Sequence, residues 1–179
     1  MKIRTVVLLT LFLIVLDQAV KWLINAYYFD VTFPIIPSLL EFRPTFNDKH
    51  SYVNVLLNQY LGIHVGLLPH IILYVVIQFG MIVLFGYFRD NLKNSRILGV
   101  AFAFQMAAMA CALLGNLVWK EGTLDFIYLV PLFIFDLKDL YSNCFILLFL
   151  IYVYSVKKPL EKVQLSDLVF YAKGLFGRR

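Results

Sequence analysis

Four long apolar runs, separated by shorter polar segments, dominate the pattern of this 179-residue chain. They fall near Val6 to Leu23, Gly66 to Tyr87, Ile97 to Val118 and Leu140 to Val156. A helix needs about 20 predominantly apolar residues to cross roughly 30 Å of hydrocarbon, so each run predicts a membrane-spanning helix. The first run follows Lys2 and Arg4, as a secretory signal would. It closes on Asp17, Gln18 and Lys21 with no small-residue cleavage pattern, so we read it as a retained helix.

The longest segment between runs, about Asn25 to Val65, is rich in aromatic residues and is punctuated by Pro34, Pro37 and Pro44. Alternation in Leu39-Leu40-Glu41-Phe42-Arg43 predicts a short strand, and the polar stretch Asn47-Asp48-Lys49-His50-Ser51 predicts a turn. A small sheet-like platform on the outer membrane surface follows. The connections Phe88 to Arg96 and Trp119 to Asp139 are short. We therefore divide the chain into a four-helix membrane domain, 1–156, and a basic tail, 157–179. In the tail Leu160, Val163, Leu168, Tyr171 and Leu175 stand among basic residues, a pattern that fits a helix lying in the cytoplasmic interface.

Composition rules out a soluble globular domain. The chain is 61% hydrophobic with a mean hydropathy of +0.80, against roughly half-apolar usage in soluble domains. The fold class is thus a membrane all-α protein, a four-helix bundle with a small extracytoplasmic β-sheet. Basic residues orient it, because short loops rich in Lys and Arg stay in the cytoplasm. Lys2, Arg4, Arg89, Lys93, Arg96 and the tail's Lys157, Lys158, Lys162, Lys173, Arg178 and Arg179 share one side, opposite Lys21, Arg43, Lys49, Lys120 and Lys138. Both termini are expected to be cytoplasmic. The net charge of +5 needs no nucleic-acid partner, since basic flanks beside anionic lipid account for it.

Charged groups in or at the edge of apolar spans are costly and mark functional candidates. Asp17 and Lys21 lie four residues apart on one helix face, where they can pair. Asn116, in Leu114-Gly115-Asn116-Leu117, can hydrogen-bond across a close helix contact. Asp125 and Asp139 flank the connection between the third and fourth spans, and antiparallel packing of those spans would bring both to one depth. Two carboxylates held close tend to share one proton, which suits one to activate water and the other to polarise a carbonyl. Spacing alone equally allows two independent solvated aspartates. His50, His64 and His70 lack metal-ligand spacing. Cys111 and Cys144 fall inside spans and read as small packing residues.

Five short motifs in order along the chain resemble those of the signal peptidase II (lipoprotein signal peptidase) family. They are Leu16-Asp17-Gln18-Ala19-Val20-Lys21, Phe46-Asn47, Leu114-Gly115-Asn116-Leu117, Leu124-Asp125-Phe126-Ile127 and Phe135-Asp136-Leu137-Lys138-Asp139. The resemblance implies an intramembrane aspartic endopeptidase of the bacterial inner membrane. It implies a prolipoprotein substrate cut before a diacylglyceryl-modified cysteine, a monomer among membrane lipids, and no metal or cofactor. Asp125 and Asp139 would be the catalytic pair, with Asp17, Lys21, Asn47, Asn116 and Asp136 supporting the site or the substrate.

The chain departs from the family pattern in several places. Trp119-Lys120 replaces an Asp-Arg pair, Asp136 replaces an Asn, and Lys138 replaces a small residue. Lys138 would shift the pair's shared protonation up or down according to where its ammonium points. These departures leave open a paralogue that binds or processes another lipidated substrate. An unrelated membrane transport or assembly protein is the remaining alternative.

Overall fold

The computed structural model describes residues 1–47, 52–63, 65–93, 95–119 and 121–177. Helix α1 (Ile3–Tyr27) leads into strands β1 (Phe33–Ile36) and β2 (Leu40–Asn47) and the short helix α2 (Tyr52–Leu61). Helix α3 (Leu67–Tyr87) runs on through a π-helical turn, Phe88–Leu92, before α4 (Arg96–Val118). Strands β3 (Thr123–Leu129) and β4 (Phe133–Phe135) precede α5 (Leu137–Ser155), α6 (Lys157–Leu160) and α7 (Leu165–Gly177). Among the described residues, four helices are long and apolar enough to cross a membrane: Ile3–Tyr27, Leu67–Leu92, Arg96–Val118 and Leu137–Ser155. The four expected spans are therefore present, each somewhat longer than expected. The predicted turn after Asn47, together with Lys49, His50, His64, Lys120, Arg178 and Arg179, lies outside the described residues.

Helix α4 sits at the centre, packed against α1, α3 and α5. Its buried positions include Gly99, Ala101, Ala103, Ala107, Ala108 and Gly115. Small side chains let neighbouring backbones approach, which is how helices associate where lipid tails remove the hydrophobic driving force. The surrounding helices turn Leu8, Phe12, Val15, Leu73, Val76, Leu147 and Leu150 outward, as a lipid-immersed surface requires. Helix α1 buries a narrow stripe, Val6, Leu13, Asp17, Lys21 and Ile24, at helical spacing. Its apolar members anchor the packing, and its two charged members fall near one end.

Away from the sheet, Val6, Phe85, Phe88, Leu98, Phe102, Tyr152 and Val156 form an apolar cluster. The rings of Phe85 and Phe102 stack with centroids 4.0 Å apart. Tyr152 is fully buried and donates its hydroxyl hydrogen to the Lys93 carbonyl at 3.0 Å. Helices α6 and α7 lie in the tail. Helix α7 docks on the end of α3, where Tyr171 donates to Asp90 Oδ2 at 2.7 Å. A Cβ on Gly86 would meet the Tyr171 hydroxyl at 2.8 Å, so the missing side chain makes room for that contact.

The sheet is larger than the first connection alone predicted. It is four-stranded and antiparallel in the order β1-β2-β3-β4, so half its strands come from the connection between α4 and α5. That connection, read from sequence as a short link, folds into a hairpin whose turn contains the cis Val130–Pro131 bond. The β2–β3 register shifts between Phe42 and Thr45, around Arg43 and Pro44. Proline has no backbone donor for a ladder and sits at such irregularities. Beyond the shift, Thr45 pairs with Asp125 and Asn47 with Thr123. One sheet face sends Leu124 and Phe126 onto Ile24 of α1, with Val20, Phe42, Phe46 and Leu137 around them.

Candidate active site

Four elements, α1, β2, β3 and α5, meet where the sheet joins the bundle, and each contributes a carboxylate or its partner. Strand β3 carries Asp125, which is buried. Side chains two apart on a strand share a face, so the β2–β3 register sets Asn47 diagonally beside Asp125. Asn47 Nδ2 donates to Asp125 Oδ2 at 3.1 Å. Gly115 permits this placement from below, because a Cβ there would lie 3.0 Å from Thr123 at the start of the strand.

The start of α5 supplies the other two carboxylates. Asp136 is the N-cap and Asp139 stands at the third helical position, and they form a reciprocal capping box. The Asp136 amide donates to Asp139 Oδ2 at 3.1 Å, and the Asp139 amide to Asp136 Oδ1 at 3.4 Å. Such a box satisfies two otherwise orphaned amides and puts negative charge at the favourable helix end. It also fixes the direction of Asp139. Asp125, Asp136 and Asp139 each offer an oxygen within 4.8 Å of the other two. The predicted convergence of Asp125 and Asp139 is thus present in the fold. Asp139 keeps 45% of its side chain exposed, whereas Asp136 is fully buried.

Two ammoniums hold the cluster together. Lys21 Nζ lies 2.9 Å from Asp17 Oδ2 and 2.6 Å from Asp136 Oδ2, all three side chains being fully buried. The Asp17–Lys21 pair read from the sequence is therefore present, and through Asp136 it reaches the carboxylate cluster. Lys138 Nζ lies 2.8 Å from Asp125 Oδ1, 2.8 Å from Asp136 Oδ2 and 3.5 Å from Asp139 Oδ2. Its ammonium points into the cluster. Burial pushes the Asp125 carboxyl above its ordinary range, more than Lys138 and Asn47 pull it down. Burial opposes ionisation of Asp136 too, but Lys138 and Lys21 together outweigh it and hold that carboxyl below its ordinary range.

Of the residues expected to support the site, Asp17, Lys21, Asn47 and Asp136 join one connected network. Asn116 donates to the Ala112 carbonyl one turn back, at 2.8 Å. Sequence reasoning missed Gln18 as a member of this network. Gln18, which meant little alone, donates to Asp17 Oδ2 at 2.9 Å and accepts from Trp119 Nε1 at 3.4 Å. Trp119 stands at the departure from the family pattern and ties the end of α4 to α1. Lys138 was expected to shift the pair's protonation in a direction set by its ammonium, and nothing in one sequence tells where its flexible stem ends. Of the histidines, His70 lies in α3 with Nδ1 at 3.0 Å from the Gly66 carbonyl. Both cysteines are free thiols.

Converging carboxylates at the end of a bundle of apolar helices fit one class, an aspartic hydrolase embedded in a membrane. A family model described as signal peptidase (SPase) II matches residues 9–155. The chain belongs to the signal peptidase II family, and so is an aspartic peptidase that removes signal peptides from lipoproteins. No curated protein sequence matches it. Two solved structures, each described as a bacterial membrane enzyme determined by the in meso method, share its fold. The one at 1.9 Å resolution has a TM-score of 0.63 and 21% identity, covering 84% of this chain and 93% of its own. The one at 2.3 Å has a TM-score of 0.64 and 18% identity, covering 91% and 95%.

Proposed function

We propose that Asp125 and Asp139 are the catalytic pair with which this peptidase hydrolyses the bond before the lipid-modified cysteine of a prolipoprotein. The observation that carries the reading is the approach of the two carboxylates, one buried and one half exposed, within a single cluster. Asp125, the more deeply buried of the two, is the partner suited to hold the shared proton. Asp125 then donates a hydrogen bond to the scissile carbonyl, and Asp139 accepts a proton from a water reaching it from solvent. Water oxygen bonds to the carbonyl carbon, and the oxyanion formed is held by Asp125. Collapse breaks the C–N bond, the leaving amine takes a proton from the pair, and a carboxylic acid and an amine result. No covalent intermediate is needed.

Asp17, Lys21, Asn47, Asn116 and Asp136 are supporting residues in this reading. We place the sheet end at the outer face of a bacterial inner membrane with both termini in the cytoplasm, on the strength of the basic residues gathered at the other end. The tail, 157–179, then lies along the cytoplasmic interface. The substrate's diacylglyceryl chains would enter sideways from the bilayer, and the enzyme would act as a monomer.

The test is cleavage of a diacylated prolipoprotein by the purified chain in detergent, beside Asp125→Asn and Asp139→Asn. Cutting before the lipidated cysteine by the native chain, and a rate lower by about 10² to 10⁴ in each folded variant, is the expected result. Unchanged cutting by either variant would remove that aspartate from the pair.

A further inference from the structure

The cluster contains one more charge pair than the two-aspartate reaction uses. Asp136 and Lys138 take no part in the steps above, yet the Lys138 ammonium lies within 3.5 Å of all three carboxylates and the Asp136 carboxylate within 4.8 Å of the other two. A charge at that range moves a neighbour's proton affinity by about one to three pH units. Neither group can be silent toward Asp125 and Asp139. Their effects oppose each other, since the ammonium favours loss of the shared proton and the carboxylate favours its retention.

We propose that Asp136 and Lys138 are a matched pair of positioning residues that sets the pH range over which Asp125 and Asp139 share one proton. The inference rests on those two aspartates being the catalytic pair. The geometry supports a pair rather than two separate effects. Lys138 Nζ stands equally far, 2.8 Å, from Asp125 and from Asp136, so one ammonium is divided between a catalytic carboxylate and a non-catalytic one. The capping box fixes Asp136 and the third helical position in one turn, with Lys138 between them.

Other groups near the cluster among the described residues come from every neighbouring element. Asp17 and Lys21 of α1 pair with each other, and Lys21 also holds Asp136. Tyr74 of α3 lies within electrostatic reach of Lys138 and Asp139. Cys111 of α4 and Tyr141 of α5 lie within reach of Asp17 and Asp136. Asn47 of β2 is uncharged. Thiols and phenols stay neutral over the range in which carboxylates titrate, so Asp17, Lys21, Asp136 and Lys138 are the charges that bias the pair.

The experiment is the pH dependence of kcat/KM for cleavage of a diacylated prolipoprotein by the full chain in detergent, whose two limbs report the free enzyme's base and acid. Lys138→Met should move both limbs upward by about one to three pH units, because the ammonium that touches both aspartates is then lost. Asp136→Asn should move both downward, because Lys138 then acts wholly on Asp125 and Asp139. Asparagine caps a helix as well as aspartate does, so the start of α5 is kept. The double variant should fall between the two, and Lys138→Arg should stay near the native profile.

Limbs that stay in place in both single variants, or that move the same way, would overturn the pairing. So would a Lys138→Arg profile displaced as far as that of Lys138→Met. Asp125→Asn and Asp139→Asn, run alongside, separate the two questions. If they still cleave, the catalytic assignment is wrong at its own readout. If they are inactive while the limbs stay put, only the pairing falls.

Discussion

At the end of the bundle away from the sheet, Phe85, Phe88, Phe102, Tyr152 and Val156 fill the interior, and the Tyr152 hydroxyl donates to a backbone carbonyl. At the sheet end, beside the apolar contact of Ile24, Leu124 and Phe126, four charged groups are buried too: Asp17, Lys21, Asp125 and Asp136. The first arrangement stabilises by close packing, which tolerates a change of shape at a moderate cost. The second desolvates charges whose mutual attraction barely offsets that loss, while removing one partner strands the others. A protein keeps such a network where the position of a charge matters more than the energy it contributes. Here four carboxylates face two ammoniums, leaving the surplus negative charge that a shared proton can relieve.

The contrast can be broken most directly at Asp139. Asp139→Asn leaves the capping geometry available and should lower the cleavage rate by about 10² to 10⁴ without moving the unfolding midpoint in detergent. A comparable change at Phe102 to leucine, in the aromatic end, should leave the rate within about twofold, because general acid–base contributions of that size are confined to groups touching substrate. Next in size is Lys21→Met, which leaves Asp17 and Asp136 buried without their shared cation. It should cost about 3 to 5 kcal/mol of stability by denaturant titration. A loss below about 1 kcal/mol would mean that water reaches the site and the network is less dry than its burial implies.

One substitution applied at both ends sharpens the comparison further. Gly115→Ala places a methyl 3.0 Å from Thr123, and Gly86→Ala places one 2.8 Å from the Tyr171 hydroxyl. The first should displace β3 and lower the rate by about tenfold, as small misplacements in an active site do. The second should loosen α7, seen as easier proteolysis of the tail, with cleavage unchanged. The smallest effect is expected at Trp119→Phe. It removes only the 3.4 Å bond to Gln18 and should cost about 0.5 to 1.5 kcal/mol by thermal unfolding in detergent.

The helices and the face that α1 buries follow from the order of residues alone. Length and hydropathy define a span without reference to any partner, and Asp17 and Lys21 four residues apart must share a helix face whatever surrounds them. The capping relation of Asp136 and Asp139 is local in the same sense, although it was read for its carboxylates and not for its cap. Strand β3 was not legible, because its ladder partner β2 lies some eighty residues earlier and β3 is covered on both faces, which hides any alternation, and β4 pairs only with β3. Gln18 and Trp119 meet only after α1 and α4 have packed. The direction of the Lys138 stem, and with it the charge on the candidate site, depends on Asp125 arriving from the sheet. Sequence by itself thus determined the membrane spans, their polar ends and which carboxylates were available. Tertiary structure alone decided which of them share one ammonium, because side-chain electrostatics depend on distances that only packing sets.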